Sequence, residues 1–481
     1  MRKKDIIKMI MQHAVLPAVY RAACLTNRVD KKLVVLADAH NRKCPVYMRT
    51  LAAELKKRGY KVRGFFYDTV KTACEGEASH GCKCKCAMHK GSDCVHMFRS
   101  GRLDVLRRMC SFMKLYAQAG TVVICDNFLP VASCRKRKKT RVVQLWHGCG
   151  AYKKFGYDTT DDIPRYYRGN VYRNYDLVTV SSEYCAPFFE SAMRAKAGAV
   201  RPVGVPATDV LIDEAWMSRA RRRFFEACPD AVGKKVVLWA PTFRGRADGT
   251  VSDRDDGTTS VRANGTVSVR TDRTASVRTG GTEEGNDLRG AEYIDRLSKF
   301  NDVYLIRHNH PHSESRAVNA GENEAADDRL GMPGKVNATD DGLGMPGKVN
   351  ATDDRLEMPG RKTAADFDIY TLIAVSDLLI TDYSSVCYDF VLAGKPVIFF
   401  MPDHEEYMER RGFYMGIDEL PGPVVTDEER IVTEVAKVLA TGRCDGSIER
   451  EEFLRKYMSS CNGRSTERVA DIIDEWHGKR D

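Results

Sequence analysis

His147 follows a β-branched run and sits among glycines, in Gln144-Leu145-Trp146-His147-Gly148-Cys149-Gly150. A buried strand ending this way presents an imidazole at its C-terminal end, with room for a ligand or a backbone to approach. Histidine is the side chain best suited to take a proton near neutral pH. Taken alone, the stretch leaves two readings open, a general base or a hydrogen-bonded packing histidine.

A second stretch runs Leu378-Leu379-Ile380-Thr381-Asp382-Tyr383-Ser384-Ser385-Val386-Cys387-Tyr388-Asp389. It reads as strand, tight polar turn and helix. Ser384 or Ser385 can cap that helix, whose first N–H groups can hold a phosphate. An ordinary N-cap would not require the surrounding Asp-Tyr-Ser-Ser set. Two further strand ends carry polar groups, Ala240-Pro241-Thr242-Phe243-Arg244 and Arg307-His308-Asn309-His310-Pro311. Cations and hydroxyls at neighbouring strand ends suit a diphosphate.

Short apolar runs position these groups. In the first half they are Leu33–Leu36, Thr121–Ile124, Val142–Leu145 and Leu177–Val180, and in the second Val236–Trp239, Val303–Ile306, Leu378–Ile380 and Val397–Phe400. They read as buried parallel strands. Helical patterns lie between them, one from Pro45 to the terminating Gly59. Alternating strands and helices predict an α/β protein with parallel sheets covered on both faces. Two such halves predict a cleft between two Rossmann-like domains, lined by loops at the strand ends.

The chain has 481 residues and a formal net charge of +10, which favours an anionic partner such as a phosphate-rich substrate or an anionic membrane. No apolar run is long enough to span a bilayer, and the stretch after Arg2-Lys3-Lys4 does not read as a secretory signal. Sixteen cysteines in so long a chain argue for reduced thiols in the cytoplasm, with Cys125 and Cys387 on core elements. Cysteines and histidines crowd residues 74–96, but their spacing is not a standard zinc pattern. The basic run Arg135–Lys139 suits anionic lipid, an acceptor pyrophosphate or plain solvent, and no nucleic-acid module accompanies it.

Two segments break the α/β pattern. From Thr250 to Gly281 an eight-residue unit repeats, and from Asp327 a thirteen-residue unit does so. Neither carries enough apolar surface to offset backbone entropy, so both read as disordered loop insertions outside the site.

Together the motifs resemble the CDP-glycerol glycerophosphotransferase family of teichoic acid synthesis. The resemblance rests on QLWHGCGAYKKFGYD, the stretch Val203–Asp209, KKVVLWAPTFRG, the segment Arg307–Pro311, DIYTLIAVSDLLITDYSSVCYDF, GKPVIFF, and Asp403–Phe413. It implies a GT-B-like fold with an acceptor-side domain over 31–205 and a nucleotide-donor domain over 206–481. Residues 1–30, with the basic and apolar stretch Arg2–Met11, read as a membrane-surface segment or else as a surface helix packed on its own protein. The insertions fall at about 247–287 and 314–364.

The resemblance further implies transfer of glycerol phosphate from CDP-glycerol to a lipid-linked acceptor at the inner face of the cytoplasmic membrane, without cofactor, metal or nucleic acid. His147 would be the base that deprotonates the acceptor hydroxyl. His310 and Asp382 join it as the implied catalytic set. Thr242, Arg244, Arg307, Ser384, Ser385, Asp389 and Arg411 would bind the donor. Two departures stand out: Ala207 occupies a position where the family carries an arginine, and an extra residue leaves His308 as the alternative to His310. CDP-ribitol as donor, a GT-B sugar transferase and a degenerate membrane-surface protein are the competing readings.

Overall fold

The computed structural model describes residues 3–39, 44–66, 102–160, 162–163, 166–242, 291–308, 364 and 367–478. Their strands form two parallel sheets. The first comprises β1 (Asp30–Asp38), β2 (Lys61–Phe66), β3 (Ala119–Ile124), β4 (Arg141–Gln144), β5 (Leu177–Thr179) and β6 (Val200–Arg201), in the order β2-β1-β3-β4-β5-β6. The second comprises β7 (Lys235–Ala240), β8 (Val303–Arg307), β9 (Leu378–Thr381), β10 (Val397–Phe400) and β11 (Val424–Val425), in the order β11-β10-β9-β7-β8. Helices cover both faces of each sheet, so the central strands are apolar throughout. Val34, Val35, Val122, Val123 and Leu238 have no exposed surface.

In each sheet the order reverses beside the first strand, between β1 and β3 and again between β7 and β9. Loops leaving in opposite directions open a crevice there, at the carboxyl ends where α/β folds take ligands. His147, Thr242, Arg307 and Asp382 lie at or just beyond such ends.

The helix Val46–Lys57 buries Met48, Leu51 and Leu55 on one face, and Gly59, with φ of +83°, carries the chain out of it. The segment 1–30 divides in two. The helix Leu16–Thr26 belongs to the first core, where Tyr20 and Tyr116 pack with ring centroids 4.9 Å apart. The helix Lys3–Ile10 leaves Ile6, Ile7 and Ile10 exposed, and Leu25 is exposed near the end of the second helix. Within the basic run, Lys136 pairs with Asp176 at 2.9 Å and Arg137 donates to the carbonyls of Asn27 and Ala117. Those two cations therefore hold the fold together.

The assignment of 206–481 to the second domain needs one correction. The last helix, Ser465–His477, packs on the first domain, burying Val469, Ala470, Ile472 and Ile473 with Val34, Leu51 and Leu55. Asp209 accepts from the Ser465 and Thr466 amides at 3.1 and 2.7 Å, and Arg58 donates to Asp471 and Asp474. Ala207, at the expected arginine position, is buried in a core. The cysteine-rich stretch and the two insertions, apart from Ala364, lie outside the described residues.

Candidate functional site

Buried β4 delivers the histidine. Beyond it, the Leu145 amide still donates to the Ile124 carbonyl at 2.8 Å, and the backbone then turns sharply. Trp146 holds a left-handed φ of 59°, a strained conformation for a bulky residue that the surroundings must impose. Its amide donates to Gln144 Oε1 at 2.9 Å. Its ring stacks on His147 at 4.7 Å and packs against Phe155 and Phe189. The turn thereby lifts the imidazole out of the sheet, leaving its side chain 55% exposed. Its Nδ1 lies 4.0 Å from Asp126 Oδ1, two residues beyond β3. The sequence reading missed Asp126, although a carboxylate just past a buried strand is the kind of signal that placed His147.

The glycines after His147 meet the second domain. A Cβ on Gly148 would stand 2.6 Å from Ser385 Oγ, and one on Gly150 would stand 2.0 Å from the Tyr388 ring. Gly150 also has φ of +68°, so space and backbone both require glycine. Between them the Cys149 thiol donates to Asp389 Oδ1 at 3.6 Å. A second seam runs beside the first, where the Tyr414 amide donates to the Tyr152 carbonyl at 2.9 Å and the Lys154 amide to the Gly412 carbonyl at 3.2 Å. The tertiary structure thus brings the His147 loop onto the Ser384–Ser385 turn.

In the second domain, Ser384 and Ser385 are half-buried at the start of the helix Val386–Leu392. Ser384 Oγ accepts from the Val386 amide at 3.4 Å, and Ser385 makes no cap bond. The helix is short, so the hydroxyls rather than a helix dipole would have to hold an anion. Asp382 is only 2% exposed, and its Oδ1 accepts from Thr242 N and Oγ1 at 2.8 and 2.7 Å and from the Tyr383 amide. It thereby fastens the loops after β7 and β9 across their switch point.

Asp389, expected among the donor ligands, is buried in the seam. Burial pushes its carboxyl up to about 7, only partly offset by the thiol hydrogen bond. Arg307 stands at the end of β8, half-exposed, and pairs with Asp295. The backbone of Arg411 ends the helix His404–Arg411 immediately before the Gly412 seam. Arg244 and His310 lie outside the described residues, while His308 donates its amide to Trp239 O at 2.9 Å. Among the described residues no group of side chains could hold a metal ion, and no helix is long and apolar enough to cross a membrane.

Residues 19–277 and 352–475 match the family model described as CDP-Glycerol:Poly(glycerophosphate) glycerophosphotransferase. The chain is 27% identical over 387 residues to the teichoic acid ribitol-phosphate primase of Bacillus spizizenii, covering 77% of this chain and 79% of that one. It is 26% identical over 325 residues to the teichoic acid glycerol-phosphate primase of Bacillus subtilis, covering 65% and 64%. It spans only 50% of the teichoic acid ribitol-phosphate polymerase TarL of Staphylococcus aureus, with 26% identity. In structure it is similar to a variant of the wall teichoic acid polymerase TagF, with a TM-score of 0.61 and 18% identity over 99% of this chain and 97% of that one. That likeness shows the fold, which is GT-B-like.

Proposed function

The chain belongs to the CDP-glycerol:poly(glycerophosphate) glycerophosphotransferase family, and from that premise we propose that it transfers glycerol phosphate from CDP-glycerol to a lipid-linked saccharide or poly(glycerol phosphate) acceptor, releasing CMP. The observation that carries this reading is the contact of Gly148 with Ser385, which puts a histidine loop of one domain against a serine turn of the other. In the reaction the acceptor hydroxyl oxygen attacks the glycerol-bearing phosphorus. Its proton passes to His147, the bond from that phosphorus to the bridging oxygen breaks, and the electron pair leaves with CMP. Ser384 and Ser385 hold the diphosphate, and Arg307, His310 and Arg411 offset its charge. Such a transfer draws mainly on positioning and electrostatics.

Similarity to both ribitol-phosphate and glycerol-phosphate primases favours CDP-ribitol as the second reading of the donor. The exposed isoleucines of the helix Lys3–Ile10 and the net charge of +10 support attachment to the inner face of the cytoplasmic membrane.

The full chain is incubated with a lipid-linked disaccharide and either CDP-glycerol or CDP-ribitol, with CMP release and product mass as readouts. CMP release with a mass gain of one glycerol phosphate is expected. A gain of ribitol phosphate alone moves the assignment to the second reading. CMP from neither donor, with UDP from a UDP-sugar, overturns both.

A further inference from the structure

His147 and Asp126 stand at the ends of adjacent strands, and one buried side chain sets the spacing of their loops. Gln144, fully buried, donates from Nε2 to the Asp126 carbonyl at 3.1 Å and accepts from the Trp146 amide at Oε1. The Asn127 amide donates to Asp126 Oδ1 at 2.6 Å, which fixes the carboxylate. That same Oδ1 faces His147 Nδ1 at 4.0 Å. On one face the imidazole is held by the Trp146 ring. Asp126 also borders a shallow recess lined by Ala37, Asp38, Ala39, Asn127 and Phe128, at the β1–β3 switch point.

We propose that Asp126 is the positioning residue of the transfer reaction. Its carboxylate accepts from the His147 Nδ1–H, holding the tautomer whose bare Nε2 takes the proton of the acceptor hydroxyl. A separation of 4.0 Å is longer than a hydrogen bond, and such pairs commonly tighten once substrate is bound. Once that bond has closed, the base is oriented to accept the proton, and the imidazolium that forms stands beside a carboxylate. The proposal rests on the reading of His147 as the base.

The test uses the full chain, with CDP-glycerol and acceptor for turnover and selectively labelled histidine for 15N NMR. In the wild-type protein the His147 shifts, assigned by their loss in His147→Gln, should report a proton on Nδ1 and none on Nε2. Asp126→Asn should lower kcat by roughly 10- to 100-fold with donor affinity unchanged, and Asp126→Glu should restore part of it. A merely structural carboxylate would give equal losses in both variants, accompanied by weaker donor binding. The proposal is overturned by that pattern, by wild-type kcat in Asp126→Asn, or by an Nε2–H tautomer in the wild-type protein. The tautomer reading needs neither activity nor a folded Asp126 variant. Full turnover in His147→Ala would instead overturn the catalytic assignment on which the proposal stands.

Discussion

The Cys149 thiol donates to Asp389 Oδ1 over 3.6 Å, tying the loop that carries the candidate base to the helix that starts with the candidate phosphate ligands. Burial pushes the Asp389 carboxyl up to about 7, from an ordinary value near 3.8. The folded chain therefore holds a proton that the unfolded chain releases above about pH 4. The stability this provides is fully present below that pH and is lost as pH rises to about 7. Asp389→Asn removes the decline, and its melting temperature should exceed that of the wild type at pH 8 by an amount that shrinks toward pH 4. The gap corresponds to at most ~4 kcal/mol. A variant that melts lower at every pH would show that the carboxyl is not protonated in the fold.

Turnover tests the base. His147→Ala should cut CMP release from CDP-glycerol by roughly 10²–10⁴-fold while calorimetry finds donor binding little changed, since His147 and the candidate donor ligands Ser384 and Ser385 come from opposite sides of the seam. Release at the wild-type rate would return His147 to a packing role.

The paired serines should behave in the opposite way. Ser384→Ala with Ser385→Ala removes two hydroxyls from half-exposed positions, so the fold should persist and donor binding should weaken by roughly tenfold, about 1.4 kcal/mol. Unaltered CDP-glycerol affinity by titration calorimetry would remove these serines from the donor site.

Gly150 offers a test of the seam. Gly150→Ala places a methyl group 2.0 Å from the Tyr388 ring at a φ of +68°, whereas Gly198→Ala, at φ of +72°, meets nothing within 4 Å. The Gly198 variant isolates the backbone cost, about 1 kcal/mol. Gly150→Ala should lose several times that in chemical denaturation and most of its turnover. Equal losses in the two variants would mean that the seam adapts.

Lys395 lies at the C-terminal end of the helix Ile369–Val375 and donates to the carbonyls of Ile373, Ala374 and Ser376 at 2.6, 2.8 and 2.6 Å. Lys395→Met fills the same space but leaves three acceptors without that partner, a loss of roughly 2–4 kcal/mol. Denaturation at pH 7 checks it, and a change below 0.5 kcal/mol would show that water replaces the ammonium.

Removing residues 3–10 should release the protein from anionic vesicles in sedimentation assays and spare turnover on a water-soluble acceptor. Salt should weaken wild-type binding through its electrostatic share. Identical sedimentation with and without the segment would locate the membrane contact elsewhere.

Eight apolar runs and the helix closed by Gly59 were legible in the sequence because burial on both faces leaves an unbroken local pattern. The chemistry at the strand ends was legible for a related reason, since His147, Thr242, Arg307 and Asp382 each follow such a run within a few residues. The missed strands carry too little local signal: β2 contains Gly64 and alternating polar residues, and β6 and β11 are two residues each.

What only the tertiary structure decided are relationships between distant segments. Arg58 meets Asp471 across 413 residues, and Cys149 meets Asp389 across 240. Neither partner's neighbourhood encodes the other, so the return of the last helix to the first domain leaves no periodic trace. Asp382 in the serine turn holds the loop after β7 through Thr242, a tie across 140 residues that neither stretch announces. The sequence by itself determined which strand ends carry polar chemistry. The tertiary structure decided which of those groups face one another, because that depends on strand order and on packing across the seam.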